Sequence, residues 1–382
     1  MKILNICGYS WDIGGPPKII YDHALVQMKL GAEVTILTPI SEGQKIYAIP
    51  AGAKVITCKR HWFSKFWAEF SPELYTWIKA HGDEYDIIHI HGIWHFAGVA
   101  PYLAGIKTAK CITTHGLLDR WTIGKGYWKK YLFGLFFQKR IIRNTELIQI
   151  NNTDEQGDLQ RFLGFKHPNV KIVPNGMNLQ DFSLLPTKGT FRDKFKIPDD
   201  KKIILFMSRI NLKKGLDLLL PAFQEVASQR SDCLLILAGP DDGYLSKTQC
   251  FIKEKSLEKS IKLVGMLTGN DKLAALADAD IFVLPSHSEG FSIATLEALI
   301  SGVPSLLSDR VGFAQAIRET NAAHLVELTE ESITKGLMQM LDNQEYCKTL
   351  SKNGINLVKN SYDIRLVAKQ LFVEFEKIMK SK

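Results

Sequence analysis

Several large classes are excluded by what this chain does not contain. Its six cysteines, Cys7, Cys58, Cys111, Cys233, Cys250 and Cys347, are scattered, with no CxxC pair and no Cys/His cluster at zinc spacing. That argues against a disulfide framework and a structural zinc site, and it reads as free thiols in a reducing compartment. No apolar run reaches the roughly 18 residues that a membrane-spanning helix needs. The start, MKILNICGYS, enters a strand-like run at once. It has none of the basic opening, longer apolar stretch and small-residue cleavage site of a signal peptide. A soluble, cytoplasmic protein is therefore expected. No GxGxxG follows the first strand, which counts against a nicotinamide dehydrogenase. Low-complexity segments and short-period repeats are also missing.

The composition that remains is globular. The 382 residues are 46% apolar and 23% charged, close to the averages for folded domains and unlike disordered, collagen-like or coiled-coil chains. At roughly 100–200 residues per domain, this length implies two domains with two proper cores. The net charge of +8 is lopsided: residues 1–180 carry 21 Lys/Arg against 14 Asp/Glu, and residues 181–382 carry 27 against 26. Most of the excess lies in residues 101–150, with 9 basic and 2 acidic residues. Such a patch points to an anionic partner: a membrane surface, a phosphorylated substrate or nucleic acid. A nucleic-acid module would spread basic residues over both domains, with aromatic stacking faces; the second half is nearly neutral.

Both halves alternate short apolar runs with amphipathic helical stretches. The first half reads as strands at Lys2–Cys7, Glu33–Thr38, Asp86–His91, Cys111–Thr114 and Leu147–Asn151, with a helix over Lys18–Lys29 that Gly31 stops. The second restarts with strands at Ile203–Met207, Cys233–Ala238, Ile261–Val264 and Ile281–Leu284, and a helix over Gly215–Gln229. Continuous apolar strands spaced by helices indicate parallel sheets covered on both faces, hence two doubly wound α/β domains. The boundary falls near Val173–Pro186, where VPNGMN is turn chemistry. The tail, 362–382, reads as a terminal amphipathic helix.

Two segments carry chemistry. SHSEGFSIATLEALISG (286–302) follows the strand IFVLP directly. Ser292 suits an N-cap, so Ile293, Ala294 and Thr295 open a helix whose free N–H groups make an anion site. Glu289 lies in the loop and Glu297 eight residues on, about two helical turns. Two carboxylates beside an anion-binding helix end suit a phosphorylated polyol; an ordinary βα unit with two surface glutamates has the same spacing. SRINLKKGLDLL (208–219) follows the strand IILFM, and its Arg209 and Lys214 could clamp a diphosphate or simply sit in a solvated basic loop.

These residues carry a family resemblance. SEGFSIATLEAL resembles the Glu-x7-Glu motif of the retaining nucleotide-sugar glycosyltransferases of family four, and SRINLKKGLDLLL resembles that family's Arg…Lys-Gly segment. LLILAGPDDG, VGMLTGNDKLAALADADIFVLPS and SGVPSLLSDRVG are similar to its following segments, in the family's order. So are IGGPPKIIYDHALVQMKLGAEVTILT, YDIIHIHG and THG in the first half. Four positions depart from the pattern: Pro16 and Pro17 follow Gly14-Gly15, Ile210 replaces the usual Leu, and Ser292 the usual Gly.

The resemblance implies a GT-B fold, two Rossmann-like doubly wound domains facing a cleft. Residues 1–180 would form the acceptor-side domain, with the tail helix 362–382 packing back on it, and residues 181–361 the nucleotide-sugar domain. It implies that Arg209 and Lys214 bind the diphosphate and Glu297 the ribose hydroxyls. Glu289 would bind donor-sugar hydroxyls, with the N–H groups of Gly290, Phe291, Ser292 and Ile293 nearby. Met266 and Leu267 would meet the nucleobase, Gly239 would join the nucleotide-binding set, and Gly15, without a side chain, would allow close approach to the diphosphate. His115 would lie near the reacting carbon. His115, Glu289, Arg209 and Lys214 form the implied catalytic set, with no metal or other cofactor.

The implied reaction is hexose transfer with retention from a nucleotide diphosphate sugar, UDP-glucose the first choice, to a glycan or lipid-linked acceptor in polysaccharide or glycoconjugate synthesis. A nucleotide-sugar epimerase of the same fold is the alternative. His89, His91 and His95 could suggest a metal site, but no carboxylate or cysteine at suitable spacing completes one. His91–Trp94 more readily lines the cleft. Trp94, Leu118, Asp119 and Trp121 are weaker acceptor-side candidates. Residues 127–143, YWKKYLFGLFFQKRIIR, interleave aromatic and basic residues. They read either as a helix packed on its own domain or as one resting on the inner face of the plasma membrane.

Overall fold

The computed structural model describes residues 1–8, 15–44, 46, 48–124 and 126–380, apart from the side chains of Gly15, Tyr127 and Lys129. It divides into two compact units, Met1–Asn178 with Tyr362–Lys382, and Leu179–Ser361. Among the described residues, no helix is long and apolar enough to cross a membrane.

The first unit has β1 (Lys2–Cys7), β2 (Glu33–Ile40), β3 (Lys54–Lys59), β4 (Ile87–His91), β5 (Ala109–Thr113), β6 (Leu147–Ile150) and β7 (Val170–Ile172). They form one sheet in the order β3-β2-β1-β4-β5-β6-β7, with every pairing parallel. The chain winds outward from β1 to β3, then restarts on the other side with β4. The switch point lies between β1 and β4, where doubly wound sheets bind ligands beyond their strand C-termini.

Side-chain alternation along these strands builds two cores. Leu4, Ile6, Ile88 and Ile90 face one layer. Ile3, Cys7 and Cys111 face the other, with Ile20 and Phe375. The helices Gly15–Lys29 and Ile364–Lys380 cover this second face and pack on each other. Pro16 and Pro17 sit in the first turn of the former, where a missing N–H costs nothing and the preset φ fits the helix. That helix therefore starts before Lys18. Loop residues 9–14, including Gly14, lie outside the described residues. The tail returns to this unit through Met177, whose N–H donates to the Tyr362 carbonyl at 2.8 Å.

The second unit has β8 (Lys202–Met207), β9 (Cys233–Ala238), β10 (Ile261–Gly265), β11 (Ile281–Leu284), β12 (Ser305–Ser308) and β13 (His324–Val326). Their order is β10-β9-β8-β11-β12-β13, so the winding repeats that of the first unit and the switch point lies between β8 and β11. Four strands had no sequence reading. β7 and β13 have three residues each, β3 is a half-exposed edge, and β12 carries serine at both ends. None gives the continuous apolar run of a buried parallel strand.

Candidate active site

Both motifs of the second unit sit at its switch point, because the chain leaves β8 into Ser208–Lys214 and β11 into Pro285–Ile293. Two glycines let these loops touch backbone to backbone. Gly239, after β9, has φ +152°, and a Cβ there would lie 1.8 Å from the Ser208 carbonyl oxygen. Gly215 has φ +76°, and its Cβ would lie 1.8 Å from the Pro285 carbonyl oxygen. Neither clash can be relieved by a rotamer change, since both neighbours are backbone. The His287 imidazole, 2.9 Å from the Asp217 carboxylate, fastens the β11 loop to the helix Leu216–Gln229.

The charges here are paired. Lys214 is buried, and its Nζ donates to Glu289 Oε2. Arg209, more exposed, donates to Asp242 Oδ2 at 2.6 Å. Lys272, on the helix Gly269–Asp278, donates to Glu297 Oε1 at 2.6 Å. Ser292 is the N-cap of the helix Ile293–Ile300, its hydroxyl accepting from the Thr295 N–H at 3.2 Å. That occupies one of the three N–H groups expected to be free, so the open donors narrow to Ile293 and Ala294. Gly290 and Phe291 lie in the same loop, with Phe291 edge-on to Phe313. Met266 is exposed and Leu267 half-buried just after β10, next to Gly239, whose N–H donates to the Gly265 carbonyl at 2.8 Å. The fold thus brings Arg209, Lys214, Gly239, Met266, Leu267, Glu289–Ile293 and Glu297 to one edge of this sheet. Asp242 and Lys272 join them; no local pattern marks either, because each lies far along the chain from its partner.

The corresponding edge of the first unit is built mainly from neutral groups, with the carboxylate of Glu155 the exception described below. Asn5, His89, His91, Thr113 and Gln149 are buried on the face covered by the two helices. His91 Nε2 lies 3.1 Å from Asn5 Oδ1, which can only accept. With the Asn5 amide in this orientation, His91 carries its proton on Nε2 and its Nδ1 accepts from His115 Nε2–H at 3.3 Å. This leaves His115 Nδ1 as an acceptor. His89 Nε2 donates to Thr113 Oγ1 at 2.7 Å, and that hydroxyl donates to Gln149 Oε1 at 2.7 Å. Burial holds His89 and His91 well below the usual histidine pKa, and the neighbouring imidazoles add to it. Burial also lowers His115 to about 3, and His23 and His95 to about 4.

His115 stands at φ +51°. The buried carboxylate of Glu155 holds its loop, accepting from the N–H of Gly116 at 2.5 Å and of Asn151 at 2.7 Å. No motif in the sequence singles out Glu155. Gly15 opens the helix after β1.

Three acceptor-side candidates make contacts within the fold. Asp119 caps the short helix Arg120–Gly124 through Thr122, Leu118 is buried, and the indole of Trp94 donates to the Leu117 carbonyl at 3.0 Å. His95 is also a cap: its Nδ1 accepts from the Gly98 N–H at 2.9 Å. Among the described residues, no group of three or more His, Cys, Asp or Glu side chains is arranged to hold a metal ion.

Comparison with known proteins agrees over the whole length. The family Glycosyltransferase Family 4 matches residues 13–181, and Glycosyl transferases group 1 matches residues 187–357. A phosphatidyl-myo-inositol mannosyltransferase from Mycobacterium leprae is 24% identical over 100% of this chain and 98% of its own. A UDP-Gal:alpha-D-GlcNAc-diphosphoundecaprenol alpha-1,3-galactosyltransferase from Escherichia coli is 25% identical over 75% of each. Among solved structures, sucrose-phosphate synthase from Thermosynechococcus elongatus superposes with a TM-score of 0.83 at 18% identity, covering 100% of both chains. Anabaena Alr3699/HepE in complex with UDP-glucose superposes at 0.77 with 17% identity, covering 100% of both. With the paired family matches, the two repeated sheets and the switch-point motifs, the chain belongs to the group 1, family-four glycosyltransferases of GT-B architecture.

Proposed function

We propose that this glycosyltransferase moves a hexose from a UDP-sugar, with glucose the first choice, to a hydroxyl of a glycan or lipid-linked acceptor, with retention at the anomeric carbon and without a metal. The acceptor would be met at an anionic membrane surface on the cytoplasmic side, through residues 127–143. The observation that carries the reading is the buried Lys214–Glu289 pair at the β8/β11 switch point, beside the open helix start at Ile293. A diphosphate arriving there meets Lys214, Arg209 and two backbone N–H groups, and it can take the place of the carboxylates that now hold the cations. Those groups stabilise the charge that develops on the leaving diphosphate. Glu289, released from Lys214, can then accept hydroxyls of the donor sugar, while Glu297 takes the ribose. His115 Nδ1, a neutral acceptor, suits a hydroxyl near the reacting carbon.

A UDP titration and a turnover assay on Glu289→Gln and Glu297→Gln test this placement. Losing a hydrogen bond to a charged group is worth about 1.5–3 kcal/mol, so Glu297→Gln should weaken UDP roughly 10- to 150-fold. Glu289→Gln should lower turnover without weakening UDP, because UDP has no sugar to contact and the substitution also releases Lys214 from its carboxylate. Equal weakening of UDP in both variants would contradict the proposed order along the donor. UDP-sugar consumed without acceptor and without UDP release would favour epimerisation.

A further inference from the structure

The stretch 127–143 is one continuous helix, Tyr127–Phe133 and Lys139–Arg143 with a π-helical turn at Gly134–Gln138 between them. It is apolar on both sides. Phe133, Phe137, Ile141 and Ile142 face the core. Trp128, Tyr131, Leu132, Leu135 and Phe136 are 51–73% exposed, at the i, i+3, i+4, i+7, i+8 spacing of a single stripe. A second exposed apolar group, Trp62, Phe63 and Phe66, comes from the short turn Trp62–Lys65 and the residue after it, some sixty positions earlier. The fold joins the two. Trp67 packs on Phe133 at 5.9 Å and Phe137 at 5.5 Å, and Phe63 meets Phe70, which stacks on Trp67. A cavity of about 390 Å³ is lined by Trp94, Leu118 and Phe162 together with Tyr131 and Leu135 of the same stripe.

We infer that the turn at 62–66 and the outer stripe of the helix form one composite platform that inserts shallowly into an anionic lipid bilayer. This rests on the membrane reading of residues 127–143 and extends it to a second segment, the turn at 62–66. Charge selects the occupant. Residues 120–145 hold seven Lys/Arg and no Asp/Glu, and Lys65 lies in the turn. Apolar and aromatic side chains in a stretch rich in cations match the boundary between acyl chains and anionic headgroups. A second copy of this chain is disfavoured, because a two-fold interface would set like charges against each other.

The test is sedimentation with vesicles of three parts phosphatidylcholine to one part phosphatidylglycerol, with neither donor nor acceptor present. The intact chain should bind at low salt, less at high salt, and poorly to phosphatidylcholine alone. Trp62→Ser/Phe66→Ser and Trp128→Ser/Phe136→Ser should each lose about tenfold or more in vesicle affinity, by removing two inserting rings. Leu184→Ser, an exposed apolar residue of the other unit, should change nothing. Unaltered thermal melts and UDP affinity would confirm that the variants are folded. If only the helix variant loses binding, the composite platform is wrong and the helix reading stands alone. If the intact chain fails to bind anionic vesicles, both are wrong; light scattering would then show whether the face instead joins two copies.

Discussion

The switch-point edges of the two sheets have the same topology and opposite chemistry. Beyond β1 and β4, the chain offers neutral imidazoles, amides and hydroxyls in buried hydrogen-bond chains from Asn5 to His115 and from His89 to Gln149. Beyond β8 and β11, it offers three cation–carboxylate pairs, Arg209–Asp242, Lys214–Glu289 and Lys272–Glu297. Placing an unpaired charge at a buried edge is costly, and each unit meets that constraint differently. The first keeps its histidines neutral. The second keeps its charges matched. The fold is thus indifferent to the chemistry, which resides in a few strand-end residues.

Acid should separate the two edges most strongly. His23 and His95 have folded pKa values near 4, against about 6.5 in the unfolded chain. As pH falls below 6.5, the unfolded state takes up protons that the folded one refuses. The stability these residues contribute is complete above about pH 6.5 and is lost between there and pH 4. At pH 5 each should cost on the order of 2 kcal/mol. All seven tryptophans precede residue 130, so a tryptophan-fluorescence melt reports the first unit alone. Its midpoint should drop between pH 7 and pH 5; a constant midpoint would show that the imidazoles are not held neutral.

Lys214→Ala comes next. Removing a preorganised electrostatic group should cost about 3 kcal/mol, roughly 100-fold in turnover, and Arg209→Ala should act in the same direction. Near-normal turnover in both would remove the diphosphate clamp. A smaller loss, about fivefold, is expected from His115→Ala, which removes a neutral hydrogen bond worth about 1 kcal/mol. A loss as large as that of Lys214→Ala would mean that the first unit also handles charge. Chelation should have no effect if, as proposed, the cations and the helix end alone serve the diphosphate. Loss of transfer in EDTA, restored by a divalent ion, would overturn that.

The contrast also marks what the sequence could reveal. Long apolar strands such as CLLILA and the Ser292 cap are local, and they were legible. So was the clustering of 208–214 with 286–297, because each directly follows a central strand. The pairing of Lys214 with Glu289 was not, since the two are 75 positions apart and only the β8–β11 adjacency brings them together. His95 and Asp119 cap helices, a duty the sequence does not separate from chemistry because capping uses the same polar side chains. Glu155 carries no motif, and its role depends on a loop about 40 residues away.

Calorimetric titration of UDP into Lys214→Ala and His115→Ala, side by side, puts the division of labour to its most direct test. If the second unit alone manages the diphosphate, the first variant should bind UDP at least about tenfold more weakly, the low end for a lost charged hydrogen bond. The second should bind UDP as the unaltered chain does. Undiminished UDP affinity in Lys214→Ala, or a comparable loss in His115→Ala, would contradict it.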